Sequence, residues 1–220
     1  MKRHAFSLTE VLLAVAVLSV GFLCVAGTFL VGIHFTGQGA ERTMAPIVAN
    51  EAFGKVRLFM PRDPNWIKSV PEFCVDVTGI ISIDPNEFFY PSIAHSRHTY
   101  IENEPNATHY WQAVCRRATT NNLQLTVFAC RKVGIRPVLS PQLIPVLGYL
   151  PPDVLDVGLA GPKIPNNTFA VGYRSGQIGH VRKLENEPPN FITVSPEISG
   201  EPALWVMFEP ATVFQQVVRP

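Results

Sequence analysis

Residues 5–33 read AFSLTEVLLAVAVLSVGFLCVAGTFLVGI, and this stretch decides the fold of the N-terminal part of the chain. Lys2 and Arg3 precede it, and Glu10 is its only charged residue. A helix over the charge-free part, Val11 to Ile33, would be about 35 Å long, which exceeds the ~30 Å hydrocarbon layer of a bilayer. Because backbone polar groups inside lipid must be bonded within the segment, the stretch predicts a membrane-spanning helix.

Two simpler interpretations of the same stretch are a secretory signal peptide and an ordinary single-span anchor. The apolar run is longer than the ~7–15 residues of a signal-peptide core, and the small residue Ala5 lies before it instead of after it. An anchor oriented by basic residues on the cytoplasmic side fits the order of charges. It does not explain why an acidic residue, Glu10, lies in the span. An acidic residue in a span costs about 2.5–3.5 kcal/mol at the centre and less near the edge. We therefore expect a partner group for Glu10.

The segment KRHAFSLTEVLLAVAVLSVGF resembles the N-terminus of type IV pilin-like proteins, which are the type IV pilins and the pseudopilins of type II secretion systems. The shared features are a basic leader, a small residue, the pattern Phe-[Ser/Thr]-Leu-x-Glu and an apolar helix. The resemblance implies that a prepilin peptidase cuts between Ala5 and Phe6, removing residues 1–5, and methylates the new amino group of Phe6. In the family the residue before the cut is most often glycine; alanine is still small, so we expect cleavage.

The resemblance also implies a role for Glu10. After cleavage, Phe6 would carry a positive amine at the edge of the apolar segment, with Glu10 one helical turn along the chain. In filaments of the family, the carboxylate of an incoming subunit lies against the amine of a neighbour. Such pairing offsets the desolvation of both charges, which would be unfavourable for either alone. The alternative is a Glu10 side chain that is simply solvated among lipid head groups.

The composition describes a protein of medium size: 220 residues, 47% of them hydrophobic and 16% charged, with a formal net charge of +1. Removal of Lys2 and Arg3 with the leader changes that charge to −1. A balance so close to neutral gives no electrostatic indication of nucleic-acid binding. Beyond the span, which with Phe6 covers residues 6–33, the remaining chain is long enough for one domain with its own core.

Residues 34–62 are predicted to form an amphipathic stalk helix. The resemblance implies that this helix packs against a sheet. A plain linker is the alternative. Its apolar residues recur at spacings of three to four: Met44, Val48, Ala52, Val56, and Phe59 or Met60. We expect Gly37, Gly39 and Pro46 to loosen or bend this helix. The sequence Pro-Arg-Asp-Pro at 61–64 ends it.

Residues 63–220 are predicted to form a β-rich globular head. Strands are indicated by runs of β-forming residues between turn residues, at Phe73–Val77, Ile80–Ile83, His109–Arg117, Leu123–Arg131, Phe169–Arg174, Gln177–Leu184, Phe191–Val194 and Ala203–Phe208. The two strands that flank residues 118–122 form a predicted hairpin, and they are similar to strands of minor pilins and minor pseudopilins. The last four strands are predicted to form an antiparallel meander.

Residues 136–165 contain seven prolines, and no charge lies between Val138 and Pro152. For residues 139–152, this composition excludes a helix or a central strand. We expect the segment to run over the surface in extended or turn conformation. Its apolar side chains must be covered, either by the head itself, which is the commoner case, or by a partner.

Cysteines and histidines give little indication of a chemical site. Cys24 lies in the span, and Cys74, Cys115 and Cys130 form an odd set outside it. If the head faces an oxidising compartment, a disulfide between Cys115 and Cys130 is conceivable, although strand register could place them on opposite faces. His95, His98 and His109 with a cysteine could suggest zinc, but without a CxxC or HExxH pattern we expect a polar loop. We therefore predict no catalytic residue, cofactor or metal.

The sequence thus predicts an α+β protein with a long N-terminal helix and an antiparallel β-rich head. We expect a non-enzymatic structural subunit of a type IV pilus or type II secretion pseudopilus. It would sit in a bacterial cytoplasmic membrane, with its N-terminus cytoplasmic and its head outside. Expected partners are the prepilin peptidase, other pilin or pseudopilin subunits, the assembly platform and the lipid bilayer. The alternative is a single-pass anchored binding domain, facing outward, that does not polymerise.

Overall fold

The structure is a computed structural model that describes residues 8–63, 65–91, 107–132, 140–150, 154–166, 168–183, 191–196, 198, 200–209 and 211–219. The chain divides into two compact units, residues 1–44 and residues 45–220. In the first unit, the described residues are entirely helical. The second unit contains the end of the same helix, a short helix and all the described strands. The fold is therefore α+β with antiparallel sheets.

One helix, α1, runs from Leu8 to Phe59. It continues without interruption through Gly39 and Pro46, so neither residue ends the helix, and the expected bend stays a prediction. A proline inside a helix removes one N–H donor and costs about 3 kcal/mol, and a glycine costs about 1 kcal/mol, so the helix holds both residues at a cost in stability. The sequence predicts that the helical region ends at residue 62, and α1 ends three residues earlier, at Phe59.

The remaining elements follow in chain order. They are α2 (Trp66–Ser69), β1 (Val75–Asp76), β2 (Phe89–Tyr90), β3 (His109–Thr119), β4 (Asn122–Arg131), β5 (Gln142–Pro145), β6 (Gly148–Leu150), β7 (Val154–Asp156), β8 (Phe169–Gly172), β9 (Ile178–Arg182), β10 (Phe191–Ser195), β11 (Ala203–Val206) and β12 (Ala211–Val218). In the described part of the chain, three 3₁₀ helices lie between them, at Val77–Gly79, Pro85–Phe88 and Gly158–Lys163.

The first sheet is antiparallel, with strand order β1-β3-β4-β12, and β2 also pairs with β3. The β3–β4 hairpin confirms the predicted pairing around residues 118–122, with Cys115 opposite Leu125 and Tyr110 opposite Cys130. Strand β12 pairs with β4 over its whole length. Strand β12 is not among the strands that the sequence predicts.

The last turns of α1 pack on one face of this sheet. Val48, Ala52 and Val56 are fully buried, and they lie in one cluster with Trp111 and Leu125 of the sheet. The spacing of three to four residues places these side chains on one side of the helix. The amphipathic face predicted from the sequence is therefore confirmed for the part of the helix that belongs to the second unit.

The second sheet closes into a barrel. Its order is β5-β11-β8-β9-β10-β7-β6, so β5 and β6 lie at its two ends. Only two residues separate these strands in the chain, and both bond to the flanking segments: Val146 N–H donates to the Pro202 carbonyl at 3.0 Å, and Leu147 N–H donates to the Asp156 carbonyl at 2.8 Å. Residues 142–150 therefore link the two ends of this sheet, because residues 142–145 pair with β11 and residues 148–150 pair with β7.

The barrel encloses its own apolar core. Its interior is filled mainly by branched aliphatic side chains: Ile144, Leu155, Val157, Ile164, Val181, Ile192, Val194, Ile198, Leu204 and Val206. Gly179 leaves room for them, because a Cβ there would lie 2.2 Å from Val194 Cγ1. A third cluster, which includes Phe128 of the first sheet and Val171 and Met207 of the barrel segment, fills the space between the two sheets.

Several strand predictions were wrong or incomplete. Residues 80–83 do not form a strand, because a 3₁₀ helix begins at Val77, capped by the Asp76 side chain, which accepts the Thr78 N–H at 2.8 Å. The predicted meander holds for β8, β9 and β10, but β11 pairs with β8 instead of β10. The proline-rich segment is extended, as expected, yet its residues 142–150 close the barrel.

Candidate functional site

The first part of α1, Leu8–Ile33, is the first candidate site. It is 26 residues long and apolar enough to cross a membrane, and none of it is buried within the structure. Its large side chains, such as Leu12, Phe22 and Phe29, are exposed. Water does not favour so much exposed apolar surface on one segment, so this helix requires lipid or protein around it.

The polar side chains inside this span bond to the helix itself. Ser19 Oγ donates to the Val15 carbonyl at 2.7 Å, and Thr28 Oγ1 donates to the Val25 carbonyl at 2.9 Å. A hydroxyl that returns to the carbonyl of the preceding turn leaves no donor unsatisfied in an apolar environment. These residues are therefore compatible with a lipid or protein surrounding.

Glu10 lies in the first turn of α1, and its side chain is exposed. A carboxylate is favourable at this end of a helix, because the N-terminus carries a partial positive charge. Glu10 is the only charged residue between Leu8 and Ile33. The other two residues of the expected site, Ala5 and Phe6, lie outside the described residues, so the pairing of Glu10 with an amine stays a prediction.

Lys55 fixes the end of α1 to the head. Its Nζ lies 2.8 Å from Glu51 Oε1 and 3.0 Å from Glu87 Oε2, and it donates to the Glu87 carbonyl at 2.7 Å. The same carbonyl accepts the Trp111 indole N–H at 2.9 Å. The Lys55 and Glu51 side chains are largely shielded from solvent, so these contacts are screened less than a surface ion pair.

A second polar cluster, which the sequence analysis missed, surrounds Glu201. This carboxylate is 3% exposed and accepts the backbone N–H of Arg174 at 2.5 Å and of Ser175 at 2.6 Å. The Tyr149 hydroxyl donates to the Glu201 carbonyl. Gly172 makes room for the carboxylate, because a Cβ there would lie 2.9 Å from Glu201 Oε1. Nothing in the sequence around Glu201 distinguishes it, because its partners lie 26 or more residues away.

The first sheet holds the other side of the same β8–β9 turn. Arg116 Nη1 donates to the Arg174 carbonyl at 3.0 Å, and Gln215 Nε2 donates to the Gly176 carbonyl at 2.7 Å. Gly176 has a φ of 65°, a left-handed conformation that favours glycine, and a Cβ there would lie 2.8 Å from Arg116 Nε. The turn is thus bonded to the barrel on one side and to the first sheet on the other, which gives it a structural role.

The structure does not bring Cys115 and Cys130 together. Cys115 lies opposite Leu125, so these two side chains share one face of the sheet. Cys130 is on the same strand as Leu125 and five residues further along, which is an odd number, so it lies on the other face. All four cysteines are free thiols. Burial raises the pKa of the Cys74, Cys115 and Cys130 thiols to about 12. The three thiols of the head are therefore protonated and unreactive at neutral pH.

Tyr110 is a further buried titratable group beside Cys130. Its hydroxyl donates to Glu209 Oε2 at 2.8 Å. Burial, with the neighbouring Cys130 and Glu209, raises the pKa of the Tyr110 phenol far above its ordinary value. The phenol thus acts as a fixed hydrogen-bond donor between the two sheets.

Histidines and carboxylates do not converge in the described part of the chain. His95 and His98, considered as zinc ligands above, lie outside the described residues, and His109 lies at the start of β3. Among the residues that the structure describes, no three histidine, cysteine, aspartate or glutamate side chains form a group that could hold a metal ion.

Comparisons of the chain with models of known protein families, with curated proteins and with solved structures found no match.

Proposed function

We propose that the chain is a structural subunit of a filament of the type IV pilus or type II secretion pseudopilus class. The observation that carries the proposal is the Leu8–Ile33 part of α1, which is long, apolar and unburied, and which begins with a single carboxylate at Glu10. The order of basic leader, small residue, Phe6, Glu10 and apolar helix supports the same class, because it resembles the N-terminus of type IV pilin-like proteins.

The exposed helix supplies the driving force for assembly. In the membrane, lipid covers its apolar side chains, and in the filament the helices of neighbouring subunits replace the lipid. Helices in an apolar environment associate through close packing and through polar groups that meet across the contact. Glu10 would be such a group, paired with the amine of a neighbouring Phe6 so that neither charge is desolvated alone.

The helix also carries the head. It continues past the span to Phe59, and the side chains of Val48, Ala52 and Val56 bury one face against the first sheet. Lys55 adds ion pairs to Glu51 and Glu87 at the same contact. A head bonded in this way to the assembling helix becomes the outer part of the filament, and we assign it a structural, non-enzymatic role.

The charges of the N-terminus set the orientation. Lys2 and Arg3 would hold the N-terminus on the cytoplasmic side, because basic residues next to a span are retained there. The head would then lie outside the cytoplasmic membrane of a bacterium. The prepilin peptidase, the membrane assembly platform and other pilin or pseudopilin subunits would be the partners.

The mass of the mature chain distinguishes this proposal from a permanently anchored binding domain. We expect chains isolated from the membrane of the native host to begin at methylated Phe6 and to occur in sheared filaments. An N-terminus at Met1, with all of the protein left in the membrane after shearing, would support the anchor and overturn the filament proposal.

Processing has its own variant and control. The Ala5→Leu variant should accumulate as the uncut precursor, because the peptidase must admit this side chain beside the scissile bond. The matched variant Ala5→Gly should be cut at least as efficiently as the natural sequence. Normal processing of Ala5→Leu would show that the cut site is not the one proposed.

A further inference from the structure

The outer edge of β12 is the longest open sheet edge in the described part of the molecule. Strand β12 pairs with β4 from Ala211 opposite Cys130 to Val218 opposite Leu123, and no described strand pairs with its other side. In an antiparallel sheet, every second residue of an edge strand presents its N–H and C=O outward. The side chains of Thr212, Gln216 and Val217 are exposed, so this edge is accessible.

The other edges of the described sheets are protected, and β12 is not. In the barrel, the end strands β5 and β6 are only four and three residues long, and β5 contains Pro145. At the opposite edge of the first sheet, β1 and β2 are two residues long each, and Pro91 follows β2. Proteins usually block an edge strand with lysine, proline or a bulge. The sequence of β12, ATVFQQVV, contains no charge, proline or glycine over eight residues.

We propose that this edge binds an extended strand of a partner protein, which lengthens the first sheet by strand addition. The inference rests on the proposed function, because it names a contact of the assembled subunit. Main-chain hydrogen bonds would supply the affinity, and side chains of the partner would lie beside Thr212, Gln216 and Val217. Because β12 has no charge to match, the strand that fits it is uncharged and rich in β-branched residues.

A second copy of β12 does not fit as this partner. Two identical edge strands pair antiparallel about a two-fold axis perpendicular to the sheet. That rotation reverses the direction of the helical residues 45–59, which pack on the face of each sheet. The subunits of the proposed filament all run in the same direction, so they cannot be related in this way. The occupant is therefore a segment other than β12.

Hydrogen exchange tests the inference on the full-length processed chain, compared between mild detergent and sheared filaments. We expect the backbone amides of residues 211–218 to exchange at least about tenfold more slowly in filaments. Residues 122–131 of β4 are the internal control, because this strand is already paired on both sides and should change little. Filaments with unprotected β12 amides would overturn this inference alone, whereas the absence of filaments would overturn it together with the proposed function.

Substitutions at the edge give a second test. Thr212→Lys and Val217→Lys place a charge on the exposed strand, so they should keep the melting temperature of the head and remove the added protection. Thr119→Lys, at the exposed end of β3, is the matched control and should retain it. Unchanged protection in both edge variants would contradict strand addition. A Val217→Cys variant that oxidises to a dimer of two copies in filaments would overturn the choice of a different partner.

Discussion

The indole N–H of Trp205 donates to the backbone carbonyl of Cys74 at 2.9 Å. The N–H of Cys74 in turn donates to the Tyr173 carbonyl at 2.7 Å. Trp205 lies on β11 of the barrel, and Cys74 directly precedes β1 of the first sheet. Both backbone polar groups of one buried residue are therefore satisfied by the other sheet, which joins two parts of the chain that are far apart in sequence.

Replacing Trp205 by phenylalanine tests this link. The ring would remain, but the Cys74 carbonyl would lose its donor inside the protein, and an unsatisfied buried carbonyl costs about 1–3 kcal/mol. We expect the free energy of unfolding of the full-length chain, measured by urea denaturation in mild detergent, to fall by that amount. Trp66→Phe, at a partly exposed position of α2, is the control. Equal stability of the two variants would show that the Trp205 bond contributes nothing.

The contact of α1 with the first sheet can be tested with a pair of neighbouring substitutions. Val56 is 1% exposed and Leu58 is 76% exposed, although they lie two residues apart on the same helix. Val56→Asp would bury an unpaired carboxylate and should remove several kcal/mol of stability or abolish cooperative melting. Leu58→Asp should leave the melting curve almost unchanged. A similar effect of both variants would contradict the orientation of the helix.

Stability should fall at alkaline pH. Burial raises the pKa of the Cys74, Cys115 and Cys130 thiols from 9.0 to about 12. Because the folded state holds these protons more tightly than the unfolded state, their contribution is complete below about pH 9 and is lost as the pH rises further. The raised pKa of Tyr110 acts in the same direction.

The measurement is the melting temperature of the full-length chain between about pH 8 and 11, where the decline should begin near pH 9. In Cys115→Ala the decline should be shallower, because one buried titrating thiol is gone. A melting temperature that stays constant over this range would show that the thiols are accessible in the folded state.

The assembly role of Glu10 is tested by Glu10→Gln. The span becomes more apolar, so membrane insertion and the fold of the head should be preserved. We expect the amount of subunit in sheared filaments to fall at least about tenfold, because the neighbouring amine would be left desolvated and unpaired. Glu72→Gln, which removes an exposed carboxylate paired with Arg117, is the control. Normal incorporation of Glu10→Gln would leave helix packing as the sole driving force, and a mild effect would indicate a minor subunit at the filament tip.

The sequence by itself determined the features that depend on local pattern. The charge-free run to Ile33 specified a helix long enough to span a membrane, because its length and composition need no information from the rest of the chain. The spacing of Val48, Ala52 and Val56 specified which face of α1 is buried. The residues at 118–122 identified the hairpin.

Only the tertiary structure decided how the head closes. The proline-rich residues 142–150 carry no periodic pattern, yet they complete the barrel, because their first half pairs with β11 and their second half with β7. Glu201 is buried because two N–H groups of a distant turn need an acceptor, and Cys115 is separated from Cys130 by the register of one hairpin. Contacts of this kind form between residues far apart in sequence, and local propensity does not determine which of these residues contact each other.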